Sequence, residues 1–109
     1  MSKDTETVIE EFKQAVNMTA KEIESWLNTE ESKEVGQKDG NDASIGHKSG
    51  TKIIQILQKQ QDKYGDDDVS HMKKVISYVH RHSAQKPAGD IEHTRWLYSL
   101  KNWGHDPLR

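Results

Sequence analysis

Apolar residues in this chain recur at spacings of three and four, in short clusters, and one long polar interval divides those clusters into two groups. That periodicity puts the apolar side chains on one face of a helix and admits little else. Val8, Ile9, Phe12, Ala15 and Val16 predict a first amphipathic helix over 4–16. Thr19 followed by Glu22 reads as a capping box, a hydroxyl N-cap answered by a carboxylate three residues on. It opens a second helix carrying Ile23, Trp26 and Leu27, which Asn28 and Thr29 end. Residues 29–50 hold only Val35, Ala43 and Ile45 as apolar residues, and Gly36, Gly40, Gly46 and Gly50 punctuate them. They are expected to form a long polar connection, of the kind that is usually functional or mobile.

Three more helices are expected beyond it. Ile53, Ile54, Ile56, Leu57 and Tyr64 mark one over 50–63, with Gly65 as its stop. Asp66, Asp67 and Asp68 then supply a cap and favourable charge for a helix over 68–84, which buries Val69, Met72, Val75, Ile76 and Val79 and ends before Pro87. Asp90 is the expected cap of a last helix over 91–103, with Trp96, Leu100 and Trp103 on one face and Gly104 and Pro107 closing it. No strand signal of comparable strength is present. The fold class is therefore all-α. Residues 1–109 form a single domain of about five helices, with a long Gly-containing loop between the second and third. Phe12, Trp26, Ile53, Leu57, Ile76, Val79, Trp96 and Trp103 are the expected core.

Composition limits what such a bundle can be. Only 31% of the 109 residues are hydrophobic and 31% are charged, so the core is small. Without cysteine there is neither a disulfide framework nor a thiolate metal site. No apolar run approaches the roughly 20 residues that span a bilayer, and the start, MSKDTETVIEEF, has no apolar signal core. An intracellular protein with no membrane partner is expected, in the cytoplasm or a nucleus. The net charge of −2 conceals a division. Residues 1–43 carry 5 Lys against 11 Asp and Glu, a net of −6, whereas residues 44–109 carry 11 Lys and Arg against 7 Asp and Glu, a net of +4. All six histidines lie in that basic part. Clustered positive charge on a small protein is the footprint of an anionic partner, most often nucleic acid.

Several groups of residues bear on chemistry. Lys48, Lys52, Lys59 and Lys63 fall within about 60° of one another on a helical wheel, away from the isoleucines. Such a row can follow a phosphate backbone, and it equally suits a solvated face. Ser70, Lys74, Ser77, Tyr78, Arg81 and Gln85 lie opposite the apolar stripe of the fourth helix. Arg and Gln can read base edges and Tyr can stack on bases, while a plain polar face has the same composition. Gly46-His-Lys-Ser-Gly-Thr51 offers free backbone N–H groups at a helix start, but its spacing is not that of a P-loop, and an ordinary turn is the simpler reading. His71 and His82 share a helix side but sit eleven residues apart, roughly 16 Å along the axis, too far to share a metal. No nucleophile elbow or carboxylate pair suggests an enzyme, and no cofactor is implied. Trp96 and Trp103 read as core anchors or as a stacking platform for bases, with Arg95, Tyr98, Lys101 and Asn102 off their face.

The blocks Asn17-Met-Thr19 with Trp26-Leu27, Gly46-His-x-Ser-Gly50, His71-Met-x-Lys-Val75 with Tyr78-Val-His-Arg-His82, and Glu92-His-Thr-Arg-Trp96 through Tyr98-Ser-Leu and Asn102-Trp-Gly-His-Asp-Pro107 carry a resemblance. Over about residues 8–109 the chain resembles a family of small uncharacterised bacterial and fungal proteins often labelled as DNA-binding. The resemblance implies a single helical domain and a DNA-binding label, and it transfers no catalytic residue.

Nucleic-acid binding is thus the leading expectation, with double-stranded DNA favoured over RNA and little sequence specificity. Lys48, Lys52, Lys59, Lys73, Lys74 and Lys101 are the expected phosphate contacts, Arg81 and Arg95 the base or bidentate phosphate contacts, and Tyr78 a stacking residue. The alternative is a protein-interaction module, or a homo-oligomer, that uses the acidic first helix and the 29–50 segment. On the charge split alone, the acidic part is also expected to screen the basic face until a ligand competes it away.

Overall fold

A computed structural model describes residues 5–36 and 45–109 of the chain. Six α-helices follow one another there: α1 (Thr5–Ala15), α2 (Ala20–Leu27), α3 (Glu30–Gly36), α4 (Ile45–Gln58), α5 (Asp66–Ser83) and α6 (Arg95–Asn102), with a single 3₁₀ turn at Gln61–Lys63. The described residues form no strand. The all-α expectation holds, with one helix more than the periodicity suggested.

The local signals account for most boundaries. Thr19 Oγ1 accepts from the Glu22 N–H at 3.1 Å while the Glu22 carboxylate accepts from the Thr19 N–H at 2.9 Å, the reciprocal box expected before α2. The added helix is α3, which lies inside the stretch expected as loop. Thr29 Oγ1 accepts from the Ser32 N–H at 3.1 Å, and Glu30 and Glu31 place negative charge on the first turn. The next helix also begins earlier than expected, at Ile45. What remains of the polar connection, residues 37–44, lies outside the described residues. Helix α4 stops at Gln58, so Gly65 does not end it; Gly65 is instead the N-cap of α5, its N–H donating to the Asp68 carboxylate at 3.0 Å. Thr94, not Asp90, caps α6, accepting from the Leu97 N–H at 3.2 Å. Asp90 folds back only as far as the Glu92 N–H, at 3.0 Å.

Packing pairs α1 chiefly with α5, α2 with α4, and α3 with α6. Val8, Phe12, Ile23, Ile53, Ile56, Met72, Val75 and Leu100 are sealed from solvent at their centre. Each such side chain contributes roughly 1.5–3 kcal/mol by leaving water. Of the expected core, Phe12, Ile53, Ile76, Val79 and Trp103 are buried. Trp26, Leu57 and Trp96 are only half-buried, since each also borders the surface.

Two glycines set how closely these helices approach. A Cβ on Gly50 would lie 2.7 Å from the Asn102 backbone carbonyl oxygen and 2.9 Å from the Leu27 side chain, so α4 meets the end of α6 nearly backbone to backbone and seats the Leu27 side chain of α2 against its own backbone. Gly104 turns the chain out of α6 at φ +78° and lies against Val16 and Ile23. The turn delivers residues 105–109 to the junction of α1 and α2. There the His105 ring nitrogen Nδ1 sits 2.7 Å from the Ala15 carbonyl oxygen. Asn17 and the Asp106 backbone exchange two hydrogen bonds, of 3.0 and 2.7 Å. Arg109 pairs with Glu22 through its two terminal guanidinium nitrogens, Nη1 and Nη2. The block Asn102–Pro107 of the resemblance is therefore a clasp that closes the bundle.

Candidate nucleic-acid interface

Helix α5 separates its residues by chemistry around its circumference. Met72, Val75, Ile76 and Val79 turn inward to the core. Ser70, Lys73, Lys74, Ser77, His80, Arg81 and Gln85 are exposed. After Asp68 the sequence holds no Asp or Glu until Asp90, so this outward face has no acid of its own. Among the described residues, no carboxylate lies within ion-pair distance of Lys73, Lys74 or Arg81. Lys74 and Arg81, seven residues apart, occupy the same side of the helix about 10 Å from each other along its axis. Lys48 is exposed as well. Ser49 pairs with His71, and Lys52 with Asp67 and Asp68, so α4 runs antiparallel to α5. Lys48, one turn back from Lys52, is thereby carried toward the Lys74 end.

Two of the three acids in the first turn of α5, Asp67 and Asp68, are already engaged. The Asp68 carboxylate is fully buried and accepts from the Lys59 ammonium at 2.7 Å. The Lys52 ammonium lies 3.1 Å from the other Asp68 oxygen and 3.0 Å from Asp67. The Lys59 ammonium and the Gly65 N–H hold the Asp68 carboxyl well below the usual carboxylate range, and Lys52 lowers that of Asp67. Lys52 and Lys59 were expected to face phosphates. They are internal counterions instead, for buried carboxylates have few other partners. Lys59 and Lys63 also lie beyond the end of α4, so the expected four-lysine row is not one helix face.

Tyr78 departs from its expected place on the outward face. It is half-buried and stacks on Trp103, ring centroids 4.2 Å apart and planes 11° from parallel. His82 stacks at 5.1 Å from Tyr78, and Trp96 at 6.1 Å from His82. His71 lies 6.2 Å from Trp103 at 8°. The rings thus stack in the order His71, Trp103, Tyr78, His82, Trp96, forming a ladder along the seam between α5 and α6. Trp96 Nε1 donates to the His82 carbonyl at 2.6 Å and ties the far end. Nε2 of His82 is buried with no hydrogen-bond partner among the described residues. Burial pushes both His71 and His82 below the ordinary histidine range and pushes the Tyr78 phenol up. Trp103 is buried in this packing, while Trp96 is half-buried with His82 beside its ring.

The remaining expected contacts separate. Arg95 is exposed in the first turn of α6. Lys101 sits away from α5, its ammonium 4.4 Å from the centre of the Trp26 ring. Asn102, expected off the tryptophan face, is buried: its Oδ1 accepts from Trp26 Nε1 at 2.7 Å and from the Ser32 hydroxyl at 2.5 Å. The Gly46–Thr51 block supplies close packing at Gly50 and the Ser49 hydroxyl, 2.9 Å from His71 Nε2. His80 and Lys86 are exposed in the same acid-free interval, Val69 to Gly89, which is legible in the sequence. No helix among the described residues is long and apolar enough to cross a membrane.

The model of a protein family described as "Protein of unknown function (DUF3140)" matches residues 11–101. No curated protein matches the chain, and no solved structure does.

Proposed function

Since the chain belongs to that family of unknown function, its role has to be argued from its own residues, and we propose that it binds nucleic acid, duplex DNA in the first place, through the outward face of α5. One observation carries this reading. The longest of the described helices presents Lys73, Lys74 and Arg81 to solvent with no carboxylate on the same face, while Lys52 on α4 and Lys59 just beyond its end have their acids beside them. Cations left without internal partners are the ones available to release counterions from phosphates. Lys73, Lys74 and Lys48 act as phosphate contacts, and Arg81 as the bidentate one, since its fork suits a phosphate or a guanine edge. Arg95 is a flanking contact. Little sequence specificity follows, because phosphate contacts position a protein without reading bases. The DNA-binding label that accompanies the sequence resemblance points the same way.

The test is fluorescence anisotropy with a labelled random duplex and a labelled single strand at two salt concentrations. Binding should fall steeply between about 50 and 200 mM salt. If Lys48, Lys73, Lys74 and Arg81 each cover one phosphate, the log–log slope on duplex is about −3.6, at roughly −0.9 per contact. Lys74→Glu with Arg81→Glu should abolish binding with helicity unchanged. Normal binding by the folded double variant would remove α5 as the interface. Absence of binding at tens of micromolar protein in low salt, or binding indifferent to salt, would turn the search to protein partners.

A further inference from the structure

A second surface, between α2, α6 and the C-terminal clasp, has a different chemistry. An open groove of about 500 Å³ runs there, within the size range of small-molecule sites. Its floor is Met18 and the exposed side of Trp26. The indole does not swing freely, because Asn102 Oδ1 holds its Nε1 at 2.7 Å and Tyr98 lies against it at 5.7 Å. The groove therefore contains a flat aromatic surface fixed before any ligand arrives, which lowers the ordering cost of stacking.

Charge at the rim is uneven. Two carboxylates border the groove, Glu22 and Asp106, and both are engaged. Glu22 takes the two terminal guanidinium nitrogens of Arg109 and the Thr19 N–H, and this pairing lowers its pKa to about 2. Asp106 accepts from the Leu108 N–H at 2.9 Å and faces Arg109 Nε at 3.8 Å. Lys21 and Lys101 have no carboxylate partner among the described residues, and both line the groove. Lys101 rests over the Trp26 ring, a weak contact at an exposed site that a ligand can displace. An aromatic floor bounded by two uncompensated ammonium groups suits a planar apolar ring that carries a negative charge.

We propose that this groove is a binding site for small aromatic carboxylates, with the ring stacked on Trp26 and the carboxylate held by Lys101 and Lys21. Lys101 moves from the indole face to the carboxylate as the ring takes its place. The site is independent of the α5 face, and neither Lys21 nor Lys101 serves there.

Titration of the full chain with indole-3-acetate, followed by ¹H–¹⁵N correlation spectroscopy, tests the proposal. The expected result is a saturable shift of the Trp26 indole N–H and of the amides around Lys21, Ser25 and Lys101, with the Trp96 indole unmoved. Lys21→Ala with Lys101→Ala, both surface changes that leave helicity intact, should raise Kd by about tenfold or more, since each removes a charge-assisted contact. Tryptamine, which carries a protonated aminomethyl group in place of the carboxylate, should not bind. Absence of a saturable shift at millimolar indole-3-acetate, an unchanged Kd in the double variant, or equal binding of tryptamine would overturn the proposal. Binding of adenosine monophosphate in place of indole-3-acetate would overturn it too and give the groove to nucleotides.

Discussion

Asn102 holds three helices together with one side chain. Its carbonyl oxygen accepts from Trp26 on α2 and Ser32 on α3, and its amide nitrogen donates back to the Ser32 carbonyl at 3.3 Å. Ser32 is fully buried and Asn102 nearly so, so neither can turn to water when the other is lost. Asn102→Ala should therefore cost about 2–4 kcal/mol in urea unfolding, the sum of more than one orphaned buried polar group. A loss under about 0.5 kcal/mol, the range of a neutral surface change, would show that the hub is replaceable. Periodicity placed Asn102 outside because a polar residue beside two tryptophans normally faces water. Its partners lie about seventy residues back in the chain, and no local pattern encodes that. Tyr78 was misplaced for the same reason: its stacking partner, Trp103, belongs to another helix. Lys52 and Lys59 look like a solvated row until Asp67 and Asp68 fold against them. The acid-free interval of α5, in contrast, is a property of consecutive residues and is fully legible.

Between elements, the ring ladder makes the α5–α6 seam sensitive to protons. His71 and His82 both sit in folded environments that lower their pKa from the ordinary 6.5, through burial. Ser49, Lys52, Lys74 and Asp68 surround His71, and Trp96 and Tyr78 flank His82. Below about 6.5 the unfolded chain binds protons that the folded chain refuses, so stability rises with pH across that interval. The contribution is complete above the unfolded value and is lost as pH falls through the depressed folded values. The thermal midpoint should thus fall between pH 7 and pH 5, and His82→Gln should flatten that decline. An equally steep decline in the variant would acquit His82. The lowered carboxyls of Glu22, Asp67 and Asp68 titrate further down and leave this window clear. Element boundaries followed local chemistry where a cap was unambiguous, as at Thr19. They failed where two acceptors competed, as at Asp90 and Thr94, or where a polar helix such as α3 lacks an apolar stripe of its own.

Over the whole molecule, the acidic first helix is not a detachable screen. Val8, Ile9, Phe12 and Ala15 of α1 are buried, and α1 packs chiefly on α5. Deleting residues 1–17 removes four or more core side chains worth roughly 1.5–3 kcal/mol each, a total comparable to the full stability of about 5–15 kcal/mol of a small domain. Circular dichroism of the truncated chain should show loss of cooperative unfolding; a sharp transition near that of the full chain would contradict this. Whether the acidic part restrains the basic face is better asked with Glu6→Gln and Glu10→Gln, since both side chains are exposed. Which helices pair was not legible, because amphipathic stripes specify a face to bury and not the neighbour that buries it. The clasp at residues 102–109 adds a consequence for how the molecule is made. Its contacts reach back to Ala15, Asn17, Glu22, Trp26 and Ser32, so on a ribosome the first three helices emerge with those partners still unsynthesised. The bundle cannot close until residues 102–109 leave the exit tunnel, and until then the nascent chain must hold an unfinished surface in solution.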